Sequence, residues 1–200
     1  MIHLLGKLPR KIGIAVSGGP DSMACLDFLS RQHDVTAIFF NHGTQCSNDS
    51  EKIVKDFCQK KDIYLSVGTI SRPKNKKESD ELYWRDERYK YFDTFNIPII
   101  TCHHLDDIAE WWIFTSLHGD PKLIPYERGK YLRPFLTNRK NTFLDWCKRK
   151  NIEYYNDPSN RNPIYRRSYI RYDVIPSLLK INPGLHKVLK RKVIESFENL

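Results

Sequence analysis

Ser17-Gly18-Gly19-Pro20-Asp21-Ser22 is the segment from which the architecture of this 200-residue chain can be inferred. It follows the apolar run at residues 12–16 and precedes an amphipathic segment at residues 23–29, so the order predicts a strand, a tight glycine-rich loop and a helix. Such a turn directs several backbone N–H groups and the positive end of the helix dipole at one point, which suits a bound phosphate. The glycines let the backbone approach a ligand closely, and Pro20 suits the first helical turn.

Asp21 is the unexpected residue of this loop, because a carboxylate beside a phosphate is repulsive unless a cation lies between them. We therefore predict that Asp21 faces Mg²⁺, with Ser17 and Ser22 adding hydroxyl donors. The segment is not a Walker loop, since no Gly-Lys-Ser/Thr follows the glycines. A Gly-Gly turn after a strand is often only structural, but the two serines and the aspartate favour phosphate binding here.

The rest of the chain indicates an α/β fold with an open parallel sheet and helices on both faces. Strand-like runs at residues 12–16, 35–40, 63–67 and 97–102 alternate with helical stretches near 21–31, 48–61 and 79–95. Ligands bind at the carboxyl ends of the strands in such sheets, and polar residues follow three of these runs: Ser17, Asn41-His42 and His103-His104.

The strand pattern fades after residue 120, and helical stretches follow near 138–150 and 168–180, with a turn cluster at residues 156–160 between them. We therefore predict a core domain over residues 1–136 and a basic helical region over residues 137–200. No apolar run approaches the roughly 20 residues of a membrane span, so we expect no membrane association and a cytoplasmic protein. The 5 cysteines include no Cys-x-x-Cys pair, which argues against a disulfide framework or a simple zinc site.

Charge is unevenly distributed along the chain. Residues 1–120 hold 15 Lys/Arg against 17 Asp/Glu, whereas residues 121–200 hold 18 against 7, so the whole positive balance lies in the second part. A basic surface is often merely solvated. Here, however, tyrosines and arginines alternate in Tyr165-Arg166-Arg167-Ser168-Tyr169-Ile170-Arg171-Tyr172, which suits phosphate contacts and base stacking and favours a nucleic-acid partner.

Two further segments carry candidate site residues. In Thr101-Cys102-His103-His104-Leu105-Asp106-Asp107-Ile108-Ala109-Glu110, residues 107 and 110 share a helix face. The acids there fit three interpretations: complementarity to the helix dipole, a metal site, or recognition of a cation. In residues 84–92, Arg85 and Arg88 also share a face, either as solvated arginines or as a clamp for a polyphosphate or RNA backbone.

Taken together, these segments resemble the N-terminal catalytic domain of the tRNA(Ile)-lysidine synthetase family, within the PP-loop superfamily of N-type ATP pyrophosphatases. The ordered matches extend from residue 17 to residue 176 and comprise the loop at 17–22, Asn41-His42-Gly43, Arg85, Arg88, Tyr89, the acidic motif at 103–110, Arg133-Pro134-Phe135-Leu136, Arg139, Asp157-Pro158-Ser159-Asn160, Arg167, Arg171 and Pro176.

The resemblance implies an enzyme that converts the wobble cytidine of an isoleucine tRNA with a CAU anticodon into lysidine, using ATP, Mg²⁺ and free L-lysine. The cytidine C2 oxygen attacks the α-phosphate, pyrophosphate leaves, and the lysine ε-amine displaces AMP from C2. The implied ATP site is Ser17, Gly18, Gly19, Pro20, Asp21 and Ser22, and the lysine site is Asp107 and Glu110. We assign catalytic roles to Asp21, Asp107, Arg85 and His103, and RNA contacts to Arg88, Arg133, Arg139, Arg166, Arg167 and Arg171.

The chain departs from the family pattern at Ile108, Trp111, Tyr154 and Ser168. Family members generally continue into further C-terminal domains that grip the tRNA, so we expect a short form in which residues 121–200, or a partner, do that work. Two alternatives remain open. A tRNA thiolase is disfavoured by the missing Cys-x-x-Cys pair but favoured by Cys102, and a non-catalytic RNA-binding relative is disfavoured by the intact loop and paired acids.

Overall fold

The computed structural model describes residues 1–156 and 166–199. Its strands are β1 (Lys11–Val16), β2 (Asp34–Asn41), β3 (Tyr64–Thr69), β4 (Ile99–Ile100), β5 (Glu127–Arg128) and β6 (Tyr131–Leu132). They form one sheet in the order β3-β2-β1-β4-β6-β5, in which only the β5–β6 pairing is antiparallel. The predicted α/β class with a mostly parallel sheet is confirmed.

The helices in the described part of the chain alternate with these strands and then follow them. They are α1 (Pro20–Leu29), α2 (Gln45–Lys61), α3 (Asp80–Phe92), α4 (Leu105–Ser116), α5 (Lys140–Lys150), α6 (Arg166–Tyr169), α7 (Ile175–Ile181) and α8 (Leu185–Glu198). A π-helical turn, Ile170–Val174, joins α6 to α7. None of the helices over residues 1–156 and 166–199 has the length and apolarity of a membrane span.

Helices cover both faces of the sheet, because strand side chains alternate between the faces. Ile14 of β1 and Phe39 of β2 belong to one core, which α1, α2 and α5 complete. Ile38, the neighbour of Phe39, points into a second core with Phe92 of α3. A third apolar cluster joins α4 to α7 and α8, so the C-terminal helices pack on the helix that follows β4.

The sequence-based pattern was wrong in its last strands. The strand predicted at residues 97–102 is confined to Ile99–Ile100, and β5 and β6 lie where no strand was expected. Each of these three strands has two residues. A run that short cannot display an alternating pattern, so its pairing is set by neighbouring strands rather than by local sequence.

The strand order places a crevice at the carboxyl ends of β1 and β4. Successive strands run from β1 to β2 to β3 on one side, and the chain then returns to add β4 on the other side of β1. Connections leave β1 and β4 in different directions at such a reversal, which opens a space between them. The loop at residues 17–22 follows β1, and residues 101–104 follow β4, so both predicted motifs lie at this crevice.

Candidate active site

Hydrogen bonds centred on Ser22 hold the loop at residues 17–22 in one shape. Ser17 donates its backbone N–H to Ser22 Oγ over 3.1 Å, and Ser22 Oγ in turn lies 3.0 Å from the carbonyl oxygen of Gly19, to which it donates. The hydroxyl oxygens of the two serines are 3.2 Å apart. Gly19 is the N-cap of α1 and has no side chain to satisfy the first helical N–H groups. These donors stay available for an anion at the helix N-terminus.

Gly18 is the position in this loop that requires glycine. Its φ is +79°, and a Cβ there would lie 2.7 Å from the Cβ of Ser50. Its carbonyl oxygen also accepts a 2.8 Å hydrogen bond from the backbone N–H of Tyr155. The loop is therefore fixed from two sides, by α2 and by the segment that follows α5.

Asp21 lies in the first turn of α1 and has an unsatisfied carboxylate oxygen. Oδ1 is buried and has no hydrogen-bond partner among residues 1–156 and 166–199. Nε2 of His104 lies 3.6 Å from Oδ1, and Lys140 Nζ lies 3.7 Å from Oδ2. Both distances exceed that of a normal hydrogen bond. A buried, unpartnered carboxylate oxygen beside an anion seat fits a ligand of a divalent cation.

His104, which was not among the predicted site residues, lies at the centre of the acids and is only 1% exposed. It caps α4: its backbone N–H donates to Asp107 Oδ2 over 2.9 Å, and its Nδ1 lies 3.4 Å from the backbone nitrogen of Asp107. Burial alone would lower the pKa of His104, but Asp107 and Asp21 outweigh burial and raise this pKa above its ordinary value. The imidazole ring thus connects the first turn of α1 to the first turn of α4.

His103, a predicted catalytic residue, has the opposite electrostatic environment. Its Nδ1 lies 3.0 Å from Thr101 Oγ1. Burial lowers the pKa of His103 to about 4 despite the attraction of Asp107. The ring is therefore neutral at pH 7 and retains a nitrogen lone pair.

Asp107 and Glu110, the predicted lysine site, are bound by two arginines from the C-terminal part of the chain. Arg171 Nη2 lies 2.6 Å from Asp107 Oδ1 and 2.5 Å from Glu110 Oε2. Arg167 donates from Nε to Glu110 Oε1. Burial alone would raise the pKa of Asp107, but His104 and Arg171 hold this pKa below its usual value. The acids are therefore paired as carboxylates, by arginines predicted to contact RNA.

Asp106 holds the C-terminal part of the chain against α4. It accepts hydrogen bonds from the backbone N–H of Lys140 at 2.8 Å and from Arg139 Nε at 3.2 Å. His186 Nε2 of α8 lies 3.4 Å from the same carboxylate. Burial opposes ionisation, but these partners keep the pKa of Asp106 far below its ordinary value. Arg139, a predicted RNA contact, is thus already engaged by an acid.

Arg85, Arg88 and Arg133 form a second group, without carboxylates. Arg85 and Arg88 extend over the ring of Tyr89, at 5.2 and 5.9 Å from its centroid. Arg133 is only 6% exposed and donates to the Pro125 carbonyl over 2.9 Å, and its Nε has no hydrogen-bond partner among the described residues. Burial lowers the pKa of both Arg88 and Arg133. Within residues 1–156 and 166–199, no ion pair involves these three arginines, so they form an anion-attracting group.

Some predicted residues cannot be placed. Asp157-Pro158-Ser159-Asn160 and Tyr165 lie outside the described residues. Arg166 is exposed at the start of α6.

Comparisons with known proteins agree with this architecture. The family described as "PP-loop domain" matches residues 3–178. A tRNA(Ile)-lysidine synthase of Clostridium acetobutylicum is 30% identical over 190 residues, which cover 85% of this chain and 41% of that protein. A tRNA(Ile)-lysidine synthase from Francisella philomiragia is 30% identical over 206 residues, which cover 94% of this chain and 51% of that protein. The chain thus spans about half the length of these relatives.

The crystal structure of a phosphoadenylyl-sulfate reductase from Candida auris superposes on this chain with a TM-score of 0.50. The two share 12% sequence identity, and the match covers 74% of this chain and 76% of that one. This likeness supports the fold alone.

Proposed function

Because the chain belongs to the PP-loop domain family, matched over residues 3–178, we propose that it uses ATP to join free L-lysine to a cytidine of an isoleucine tRNA, as a tRNA(Ile)-lysidine synthase does. One observation carries this proposal: the loop at residues 17–22 and the acids of α4 meet at the same crevice. His104 joins them, with Nε2 3.6 Å from Asp21 Oδ1 and Nδ1 3.3 Å from Asp107 Oδ2. An activating and an accepting site this close suit two successive displacements on one nucleotide, the first at the α-phosphorus and the second at C2.

We assign the triphosphate of ATP to the loop at residues 17–22 and the N-terminus of α1. The free N–H groups and the two hydroxyls would stabilise the charge that develops on departing pyrophosphate. Asp21, with its unpartnered Oδ1, is the residue that would hold Mg²⁺. Mg²⁺ usually needs one or two carboxylates plus phosphate oxygens and water, so one aspartate suffices. When bound, it would neutralise phosphate charge.

Asp107 and Glu110 are proposed to bind the lysine side chain. In the first displacement, the cytidine O2 bonds to the α-phosphorus and the bond to pyrophosphate breaks. In the second, the deprotonated ε-amine bonds to C2, and the C2–O bond breaks to release AMP, which keeps the cytidine oxygen. The two carboxylates attract the amine in its cationic form. Neutral His103 supplies a lone pair beside them.

The RNA is proposed to lie over Arg85, Arg88 and Arg133, whose guanidinium groups pair with no carboxylate in the described part of the chain. Arg166, exposed at the start of α6, is proposed to contact phosphates beside them. Buried guanidinium groups bind phosphate oxygens through charge-assisted hydrogen bonds. A soluble tRNA and free lysine as substrates place the proposed reaction in the cytoplasm.

The decisive experiment incubates the protein with ATP, Mg²⁺ and radiolabelled lysine, with and without an isoleucine tRNA carrying a CAU anticodon. We expect label in the RNA only when ATP and tRNA are both present, with one AMP released per lysine incorporated. A matched tRNA with uridine in place of the wobble cytidine should stay unlabelled. ATP cleavage that requires tRNA but incorporates no lysine would contradict the proposal and favour another nucleophile, such as sulfur.

A further inference from the structure

The carboxylate pair of α4 has no free oxygen. Asp107 Oδ2 accepts from the backbone N–H of His104 at 2.9 Å, and Asp107 Oδ1 lies 2.6 Å from Arg171. Glu110 Oε2 is 2.5 Å from Arg171, and Glu110 Oε1 accepts from Arg167. Two guanidinium charges therefore balance two carboxylate charges. A lysine ammonium that reached this neutral cluster would find each carboxylate oxygen already in contact with a donor.

The four side chains differ greatly in their access to solvent. The Glu110 side chain is 2% exposed, so its charge needs a cationic partner at all times. The Arg167 side chain is 46% exposed and can leave towards solvent at small cost. Arg171 is more enclosed and lies in the π-helical turn Ile170–Val174. Such turns are rare and occur frequently at functional sites.

We propose that Arg167 and Arg171 are exchangeable counter-ions of the lysine site. Without RNA, they neutralise Asp107 and Glu110 and keep lysine out. When RNA binds, its phosphates draw Arg167 first, and then Arg171, away from the carboxylates. The lysine ammonium takes the vacated oxygens. This inference rests on the proposed function, in which Asp107 and Glu110 bind lysine.

The exchange leaves Glu110, the more deeply buried acid, with a cationic partner, and Asp107 keeps its hydrogen bond from the backbone N–H of His104. Each arginine passes from a carboxylate to a phosphate, and both partners accept charge-assisted hydrogen bonds from a guanidinium group. Lysine replaces the lost cation at Glu110. Without RNA, lysine must compete with an arginine that is tethered to the same chain. Lysine binding should therefore depend on RNA, and by thermodynamic linkage RNA binding should depend equally on lysine.

The test measures lysine affinity by equilibrium dialysis, without ATP so that no reaction occurs, at one fixed salt concentration. The RNA is the anticodon stem-loop with a CAU anticodon. For the wild-type protein we expect RNA to tighten lysine binding about 5- to 150-fold, the usual range of such coupling. Norleucine, which lacks the ε-ammonium, should show no coupling. Arg167→Gln should bind lysine more tightly than wild type without RNA and lose most of the RNA effect.

Arg191→Gln is the matched control, because Arg191 is 72% exposed on α8 and pairs with Glu195. It should keep the full coupling. Should Arg167→Gln unfold, RNA affinity of the wild-type protein with and without lysine tests the same coupling from the other side. Equal lysine affinity with and without RNA in a protein that still forms lysidine would overturn this inference alone. Absence of lysine binding in every arm would overturn both the inference and the assignment of the lysine site.

Discussion

Glu110→Gln should separate the use of lysine from the activation of RNA. In the described part of the chain, the Glu110 carboxylate contacts Arg167 and Arg171, and it makes no contact with the loop at residues 17–22. The amide removes one negative charge without changing the size of the side chain. A hydrogen bond to a charged group contributes about 1.5–3 kcal/mol. Its loss should raise the KM for lysine about 10- to 150-fold.

The assay follows both half-reactions of this variant. Pyrophosphate release in a single turnover without lysine should stay within about twofold of wild type, because about 0.4 kcal/mol is the most that an untouched loop should lose. The unfolding free energy should fall by about 1–3 kcal/mol, since the two guanidinium groups lose a charged partner. Glu195→Gln, at an exposed position of α8, is the control for a lost surface pair. An unchanged KM for lysine, or slowed pyrophosphate release with normal lysine use, would refute the assignment.

Four further substitutions test other parts of the chain. Asp21→Ala should abolish pyrophosphate release, because it removes the proposed Mg²⁺ ligand, while the thermal melting temperature changes little. Pyrophosphate release at the wild-type rate would exclude that role. Gly19→Val should fold but fail to bind ATP in dialysis, since among the described residues a Cβ there meets only Ser17 Oγ, at 3.5 Å. Gly18→Ala should also lower the melting temperature because of its positive φ. Burial, aided by Arg88, lowers the pKa of His42 from 6.5 to about 4. The contribution of neutral His42 to the unfolding free energy should therefore be fully present above pH 6.5 and be lost as the pH drops towards 4. His42→Gln should flatten that slope in urea titrations, and a slope equal to that of wild type would mean that other groups cause it.

The loop at residues 17–22 could be predicted because its signal is local. A strand, two glycines, a proline at the helix start and flanking serines all fall within a dozen residues, and the same short segment makes the hydrogen bonds that shape it. The meeting of this loop with residues 103–110 also followed from sequence, because alternating strands and helices imply a parallel sheet with its ligands at the carboxyl ends.

The partners of the acids could not be predicted, because they depend on packing between distant helices. Arg167 and Glu110 are 57 residues apart, and they meet only because the helices after residue 166 pack against α4. Charge counts could assign such arginines to a basic surface, but they could not show which of them already have acidic partners.

His104 is a different kind of omission, because its signal was present. The sequence pattern drew attention to His103 as the catalytic histidine. His104, three residues before Asp107, has the spacing of a capping box, and the structure shows the reciprocal bonds of that motif. A side chain that caps the helix must point back at the helix N-terminus, and therefore into the crevice between β1 and β4. The capping geometry thus explains why His104 lies between Asp21 and Asp107.

The distribution of charge also has to be reassessed in the light of these contacts. Residues 121–200 carry 18 Lys/Arg against 7 Asp/Glu, which suggested a continuous basic surface for RNA. Four of these cations, Arg139, Lys140, Arg167 and Arg171, instead face Asp21, Asp106, Asp107 and Glu110 of the first part of the chain. The basic region is therefore part of the proposed catalytic site as well as a surface for RNA. Arg167 and Arg171 neutralise Asp107 and Glu110 at the crevice. If RNA phosphates bind these two arginines, the carboxylates become available to the lysine ammonium, so RNA binding changes the charge of the lysine site.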